Sequence, residues 1–253
     1  MKKPIIIGNW KMKLDYRRSM ALAQELATLA NPVDTSDNDV VVCPSHSSFL
    51  LVSEILKNSG VQMGVQDIFW EDNGAFTGCE SPKFLSEAGC KYAIIGHSER
   101  RQNLGETDAV VHRKIKGALD NGIVPVLCVG ETLAERQQGM ADNIIFTQVT
   151  KALSGIDLVS SEELIIAYEP VWVIGSGRPI DPEEAERAFR IIYQAVVDLW
   201  PLTIAQTNVR IIYGGSIDAS DFRDFSALDH FSGFLIGGAS LKGEEFWEII
   251  KGI

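Results

Sequence analysis

Length, composition and charge limit what this protein can be. The chain has 253 residues, and 45% of them are hydrophobic, which is enough to form the core of one or two domains. Lys and Arg number 23 against 34 Asp and Glu, a net charge of −11 that argues against binding to nucleic acid or to an anionic membrane. A small anion is still allowed, because a few cations and backbone N–H groups suffice to hold a phosphate.

Cysteine usage and the first residues of the chain favour a reduced, cytoplasmic setting. The four cysteines form no C-x-x-C pair and the four histidines have no zinc-binding spacing, so neither a disulfide framework nor a metal site is expected. The apolar run at residues 5–7 is too short for a signal peptide, and no stretch is long enough for a membrane helix. We therefore expect a cytoplasmic protein without a membrane segment.

Short apolar runs recur along the chain, and each ends abruptly in polar residues or glycine. Unbroken apolar runs, unlike alternating ones, are typical of parallel strands that are buried on both faces. The runs lie roughly 30 residues apart, which is the length of one βα unit. The eight predicted strands are residues 5–9, 40–43, 63–66, 92–95, 124–129, 164–168, 209–213 and 233–236.

Segments with helical periodicity separate the predicted strands, as over residues 20–29. The clearest helix start is Asp181-Pro182-Glu183-Glu184, where Asp can cap, proline fits the first position and the acids favour the positive helix end. Eight strand–helix units without a linker predict an α/β fold, a closed (β/α)8 barrel that spans residues 1–253 as a single domain. The alternative is a doubly wound open sheet, which usually has G-x-G-x-x-G after its first strand, where this chain has Gly8-Asn9-Trp10-Lys11.

The predicted strand ends carry polar residues that suit chemistry. Enzymes built on parallel barrels place their sites at the C-terminal ends of the strands. That end of the predicted barrel collects Asn9, Lys11, His97, Glu99, Glu131 and Glu169. Asn9 and Lys11 would project to the same side of an extended strand, where Lys11 could meet a phosphate or a developing oxyanion. The alternative for Lys11 is a solvated surface lysine, and Glu131 is interpreted as structural rather than catalytic.

His97 and Glu169 are the candidates for proton transfer. His97 lies where a helix should begin, and nearby helix N–H groups disfavour the imidazolium form, so a neutral ring could donate a hydrogen bond. Glu169 ends an apolar strand and is followed by an apolar, glycine-containing loop at residues 170–177 that could exclude water as a lid. A base beside such a lid suits proton abstraction next to a carbonyl. The alternative for His97 is a structural histidine. The alternative for Glu169 is a buried ion-pair partner, with residues 170–177 as a packed connector.

Glycine pairs follow the last two predicted strands, as Gly214-Gly215-Ser216 and Gly237-Gly238. Glycine lets a ligand approach the backbone, and phosphate sites in barrels frequently lie after strands seven and eight. Tight turns without a ligand are the alternative. Cys43 and Cys128, at two strand ends, are interpreted as small buried hydrophobic residues and not as nucleophiles.

Seven strings together resemble the triosephosphate isomerase family in the same order along the chain, from Asn9 to Leu241. They begin at residues 8–12 (GNWKM), 74–78 (GAFTG), 96–101 (GHSERR) and 128–131 (CVGE), and continue at 167–172 (AYEPVW), 213–216 (YGGS) and 233–241 (GFLIGGASL). The resemblance implies a TIM barrel and interconversion of dihydroxyacetone phosphate and D-glyceraldehyde 3-phosphate in glycolysis and gluconeogenesis. It implies no metal and no organic cofactor.

The resemblance also implies a role for each matching residue. Glu169 looks like the base that moves a proton between C1 and C2, and His97 looks like the neutral electrophile. Lys11 and Asn9 look like the groups that hold the substrate and stabilise the enediolate. The implied phosphate-binding residues are Gly175, Ser216, Gly237 and Gly238, and the implied supporting residues are Ser98, Glu99 and Cys128.

Members of this family are usually homodimers. Residues 66–81 resemble the loop that inserts into the partner subunit, with Thr77 reaching toward its active site. The chain departs from the family pattern in the lid at Val173 and Pro179, in the dimer loop at Cys79, and in the first loop at Lys13, where asparagine is frequent. The lid changes predict altered closing kinetics with the same reaction, because Pro179 fixes φ near the hinge.

Two other functions remain open from the residues alone. One is a different enzyme on the same phosphate-binding barrel, such as another sugar-phosphate isomerase or an aldolase. An aldolase needs a Schiff-base lysine within a strand, and none of the eight runs contains a lysine. The other is a phosphate-binding protein without catalysis, against which Asn9, Lys11, His97 and Glu169 argue.

Overall fold

Eight parallel strands close into a barrel in the computed structural model of the chain, which describes residues 2–30, 32–159, 162–175 and 179–253. The strands are β1 (Ile5–Asn9), β2 (Asp39–Cys43), β3 (Gln62–Val65), β4 (Tyr92–Ile95), β5 (Val124–Val129), β6 (Leu164–Tyr168), β7 (Val209–Tyr213) and β8 (Phe231–Ile236). Each strand pairs with the next, and β8 returns to β1 with Ile5 beside Gly233. A Cβ on Gly233 would lie 1.8 Å from the Ile5 carbonyl oxygen, so closure of the barrel requires glycine there.

Helices follow the strands and cover the outside of the barrel. They are α1 (Tyr16–Leu29), α2 (Pro32–Asp37), α3 (Phe49–Leu56), α4 (Pro82–Glu87), α5 (Ser98–Leu104), α6 (Asp108–Asp120), α7 (Leu133–Gln137), α8 (Ala141–Leu153), α9 (Pro182–Leu199), α10 (Leu202–Asn208), α11 (Arg223–Ser226) and α12 (Gly243–Gly252). The predicted start of α9 is confirmed, because the Asp181 carboxylate accepts the N–H of Glu183 at 2.9 Å and Pro182 is the first helical residue. No helix in the described ranges has the length and apolarity to cross a membrane.

The predicted (β/α)8 barrel is confirmed, and five of the eight strands have the predicted bounds. β2 and β3 each begin one residue earlier than expected, and β8 begins two residues earlier. β3 ends at Val65 and not at residue 66. The side-chain amide of Gln66 donates to the backbone carbonyls of Lys11 at 2.9 Å and Cys43 at 3.0 Å. This side chain joins the ends of the first three strands.

Alternate residues of each strand build two apolar layers. One layer fills the barrel and includes Ile5, Ile7, Ile94 and Ile165, all fully buried. The other lies between the strands and the helices and includes Ile6. Burial on both faces explains why the strands read as unbroken apolar runs.

An ion-pair network closes the N-terminal end of the barrel. Arg210 of β7 is 2% exposed, with its guanidinium 2.7 Å from carboxylate oxygens of both Asp39 and Glu163. It also donates to the Lys3 carbonyl at 3.0 Å, and Lys2 approaches Glu163 at 2.8 Å. One side chain therefore ties β7 to the beginnings of β1, β2 and β6, opposite the end where the polar strand-end residues lie.

Candidate active site

A cavity of about 350 Å³ opens at the C-terminal end of the barrel. Eight of the residues predicted from the sequence line it: Asn9, Lys11, His97, Glu169, Gly175, Ser216, Gly237 and Gly238. The other four, Ser98, Glu99, Cys128 and Thr77, lie outside its lining. Its volume falls in the range of small-molecule sites.

Lys11 reaches the cavity from a turn and not from an extended strand. β1 ends at Asn9, and Lys11 has a φ of 51°, in the left-handed region that non-glycine residues seldom occupy. Its N–H binds the Asn9 side-chain oxygen at 3.0 Å, while its carbonyl accepts from Gln66 at 2.9 Å and from Ser45 at 3.3 Å. The expectation of extended-strand spacing was therefore wrong, although both side chains line the cavity. The surrounding hydrogen bonds hold a conformation that costs about 1 to 3 kcal/mol in isolation.

His97 caps the helix that follows β4. Its Nδ1 accepts the N–H of Glu99 at 3.2 Å at the start of α5, and the side chain is nearly buried. A nitrogen that accepts from a backbone N–H carries no proton of its own, so the ring proton of the neutral form lies on Nε2. Nε2 lies 2.9 Å from Oε1 of Glu169. Helix capping thus fixes both the tautomer and the direction of the ring.

Glu169 follows β6 and is 1% exposed. Its backbone N–H continues the ladder to the Val129 carbonyl at 2.7 Å, which fixes where the side chain begins. Oε2 accepts the N–H of Ser98 at 2.8 Å, and Oε1 faces His97. A buried carboxylate is thereby held at the cavity wall by one helix N–H, with the His97 imidazole 2.9 Å from its other oxygen.

The charge states of His97 and Glu169 depend on each other. Burial raises the pKa of Glu169, but the His97 ring, the Ser98 N–H and the Lys11 ammonium together bring that pKa below its ordinary 4.5. Burial lowers the pKa of His97, but the charge and hydrogen bond of Glu169 bring that pKa above its ordinary 6.5. The helix N–H favours the neutral ring that we predicted, and the adjacent carboxylate favours the charged ring.

The predicted supporting residues contact the lining from behind or from the side. Ser98 supplies its N–H to Glu169, and Glu99 places Oε1 2.7 Å from the ammonium of Lys11. Cys128 is fully buried, and burial raises the pKa of its thiol well above the ordinary 9.0, with Glu169 adding to the effect. A thiol with so high a pKa is a poor nucleophile, which fits the interpretation of Cys128 as a packing residue.

The glycine pairs after β7 and β8 form one wall of the cavity. A Cβ on Gly215 would lie 2.1 Å from the hydroxyl oxygen of Tyr213, so no larger residue fits there without displacement. Gly237 lies against the Lys11 side chain, and Gly238 has open space where its side chain would be. Gly238 begins the short 3-10 helix Gly238–Leu241. The four glycines of this wall can present only backbone to the cavity, and Ser216 and Asp218 line it beside them.

Comparison with known proteins agrees with this geometry. Residues 4–253 match the family model described as triosephosphate isomerase. A protein of that name from Carboxydothermus hydrogenoformans is 43% identical over 253 residues, covering 100% of this chain and 99% of that protein. The chain belongs to the triosephosphate isomerase family. Relatives of the same name from Moorella thermoacetica, 40% identical over 252 residues, and Dictyoglomus thermophilum, 37% identical over 251, each align over at least 99% of both chains.

The loop after Glu169, which was predicted to act as a lid, is hydrogen-bonded to a buried carboxylate whose contacts were not predicted from the sequence. Glu131 is fully buried and accepts from the Trp172 indole at 3.0 Å and from the Tyr168 hydroxyl at 3.2 Å. At the other end, the Ile180 N–H donates to the Tyr213 hydroxyl at 3.3 Å. Residues 176–178 lie outside the described residues, so Arg178 of the predicted hinge is among them. No sequence signal separates these tyrosines from other strand-end aromatics.

Thr77 lies in an exposed loop between β3 and α4, away from the cavity of its own chain. Its neighbour Phe76 is 43% exposed, which is unusual for a phenylalanine in a folded chain. Among the described residues, no group of His, Cys, Asp and Glu has the arrangement of a metal site.

Proposed function

We propose that this chain interconverts dihydroxyacetone phosphate and D-glyceraldehyde 3-phosphate through an enediolate. The observation that carries the proposal is the 2.9 Å contact between His97 Nε2 and the Glu169 carboxylate, beside Lys11 in a cavity with a glycine wall. A base, a hydrogen-bond donor and a cation on one cavity are the set that proton transfer next to a carbonyl requires. Membership in the triosephosphate isomerase family supports the same reaction.

Glu169 acts as the base and His97 as the electrophile. The lowered pKa of Glu169 keeps the carboxylate ionised at neutral pH, ready to take a proton from C1 or C2 of the substrate. A substrate oxygen between the two side chains would weaken the contact that raises the pKa of His97, which favours the neutral ring. The Nε2 proton then polarises the carbonyl, while Asn9 and Lys11 stabilise the enediolate oxygens.

Phosphate binding falls to backbone groups of the glycine-rich part of the lining. Gly175, Ser216, Gly237 and Gly238 line the cavity together, and residues without bulky side chains let an anion approach backbone N–H groups. Lys11 lies beside Gly237, so one cation serves both the phosphate and the reacting end. This division leaves Glu169 and His97 free for chemistry.

The active form is a homodimer in the cytoplasm, where the reaction serves glycolysis and gluconeogenesis, and residues 1–253 act as one domain. Exposed apolar side chains in two loops and two helices that follow β1 to β4 support the dimer: Met12 is 95% exposed, Leu50 68%, Phe76 43% and Leu104 66%. Apolar side chains exposed in one sector of a surface suit an interface with a second copy. Residues 66–81 would reach that copy, with Thr77 near its cavity and Cys79 in the contact.

Light scattering tests the proposed dimer. The wild type should be a dimer, and Phe76→Lys should dissociate at higher protein concentration than the wild type. Monomers in both proteins would contradict the proposed dimer.

Isotope incorporation tests the proton-transfer mechanism directly. Conversion of glyceraldehyde 3-phosphate in D2O should leave deuterium on C1 of the ketose product, because the proton passes through a base that exchanges with solvent. We expect this by proton NMR for the wild type and for Glu135→Gln, whose carboxylate caps α7 outside the cavity. Glu169→Gln should give neither product nor label. Complete transfer of the original proton, or deuterium in the Glu169→Gln reaction, would contradict the assigned base.

A further inference from the structure

The cavity carries a second lysine that the proposed reaction does not use. Lys13 lines the same cavity as Lys11, two residues further along the loop after β1. Its side chain is exposed, and it has no carboxylate within ion-pair distance among the described residues. Lys11, by contrast, is 2.7 Å from Glu99. Among the described residues of the lining, Lys13 is therefore the cation without an ion-pair partner.

The charge of the cavity makes this lysine matter. The described residues of its lining include two cations, Lys11 and Lys13, and two carboxylates, Glu169 and Asp218, which sum to zero when His97 is neutral. Without Lys13 these described residues would carry one net negative charge, in a chain whose net charge is −11. A phosphate monoester carries close to two negative charges above its second pKa of about 6. A substrate of that kind would approach a negative cavity on a negative protein.

We propose that Lys13 attracts the phosphate of the incoming substrate and speeds its association without taking part in the chemistry. This inference rests on the proposed function, because the triose phosphate is the ligand in question. A flexible, solvated ammonium at a cavity is suited to steering, which depends on long-range potential and not on a fixed contact. The negative charge of Asp218 opposes the effect of Lys13. Hydrogen bonds from the N–H and hydroxyl of Ser220 stabilise the Asp218 carboxylate.

The expected effect follows from Coulomb's law. One positive charge roughly 10 Å from a dianion across water changes the association rate constant about two- to fivefold. The screening length is about 30 Å at 0.01 M salt and about 8 Å at 0.15 M, so the effect should fade as salt is added. Charge reversal should approximately square the factor, since it removes one charge and adds its opposite.

The experiment compares Lys13→Gln and Lys13→Glu with Lys151→Gln at pH 8 over a range of ionic strength. Lys151 is exposed in the last turn of α8, a helix that runs back toward the N-terminal end of the barrel, so this control removes one charge far from the cavity. The measured quantities are kcat and kcat/KM for glyceraldehyde 3-phosphate, turnover of phosphate-free glyceraldehyde, and the affinity for inorganic phosphate by titration calorimetry. Light scattering checks that each variant keeps the oligomeric state of the wild type.

The proposal predicts kcat/KM about two- to fivefold lower for Lys13→Gln at low salt, more for Lys13→Glu, with the same kcat. The loss should vanish at high salt, with the phosphate-free substrate, and in Lys151→Gln. Equal kcat/KM in Lys13→Gln and wild type at low salt, an equal loss in Lys151→Gln, or a reduced kcat would overturn it. If the wild type binds phosphate but turns over no substrate, the proposed reaction fails, and the salt-dependent phosphate affinity of Lys13→Gln still decides the steering role.

Discussion

Removal of Arg210 should destabilise the barrel more than removal of any exposed arginine. Arg210→Met keeps the length and burial of the side chain but leaves Asp39 without its partner at 2.7 Å. Breaking a buried ion pair from one side costs about 3 to 5 kcal/mol. The carboxylates are 29% and 23% exposed, and Lys2 still neutralises Glu163, so we expect the lower limit, about 3 kcal/mol. For a chain of this size that corresponds to a fall in Tm of roughly 6 to 12 °C.

The assay is urea unfolding followed by circular dichroism, at one protein concentration for all variants. Arg187→Met is the matched control, because the Arg187–Asp142 pair has side chains 71% and 47% exposed and should contribute less than about 1 kcal/mol. The turnover of folded Arg210→Met should equal that of the wild type, since the network lies at the opposite end of the barrel from the cavity. An equal loss of stability in the two variants would refute the reasoning from burial.

Three further predictions concern the cavity. Glu169→Asp draws the carboxylate back from His97, so kcat should fall about a hundredfold or more with little change in KM, and an unchanged kcat would refute the base assignment. His97→Gln removes the main attraction that offsets burial, so a carbon-13 NMR titration should show a higher pKa for Glu169 than in the wild type. The wild-type carboxylate stabilises the fold above pH 4.5 and loses this effect as pH falls through its lowered pKa. A higher folded-state pKa makes this stabilisation smaller in the variant, and identical titrations would count against the coupling. Gly215→Ala should lower stability by about 1 to 3 kcal/mol, because of the Tyr213 hydroxyl, whereas Gly238→Ala has open space and should not; equal stabilities would contradict the clash.

The strands could be predicted because burial on both faces leaves a simple pattern. β6, for example, contains five consecutive buried residues and reads as one apolar run. The first residue of β2 is Asp39, which forms an ion pair with Arg210. Because Asp39 is charged, the pattern of apolar runs did not predict that it belongs to the strand. Arg210 itself stood as a charged residue inside an apolar run, a signal of a buried partner. The partner could not be identified, since Asp39 and Glu163 are far away along the chain.

The residues of the cavity were predictable because parallel strands bring their C-terminal ends together. The positions of His97 and Glu169 follow from that rule alone. Their mutual contact and its effect on both pKa values required coordinates, because the distance depends on the cap at the start of α5. The left-handed turn at Lys11 also could not be foreseen, since it is held by Gln66 and Ser45 from other loops.

The most direct test of the central claim is turnover by the purified chain, with the ketose product of glyceraldehyde 3-phosphate coupled to a hydride-consuming enzyme. The wild type should convert the substrate rapidly, and Glu169→Gln, with unchanged circular dichroism and retained phosphate binding, should lose nearly all of this activity. A folded wild type that binds phosphate but gives no turnover, or a Glu169→Gln variant as active as the wild type, would contradict the claim.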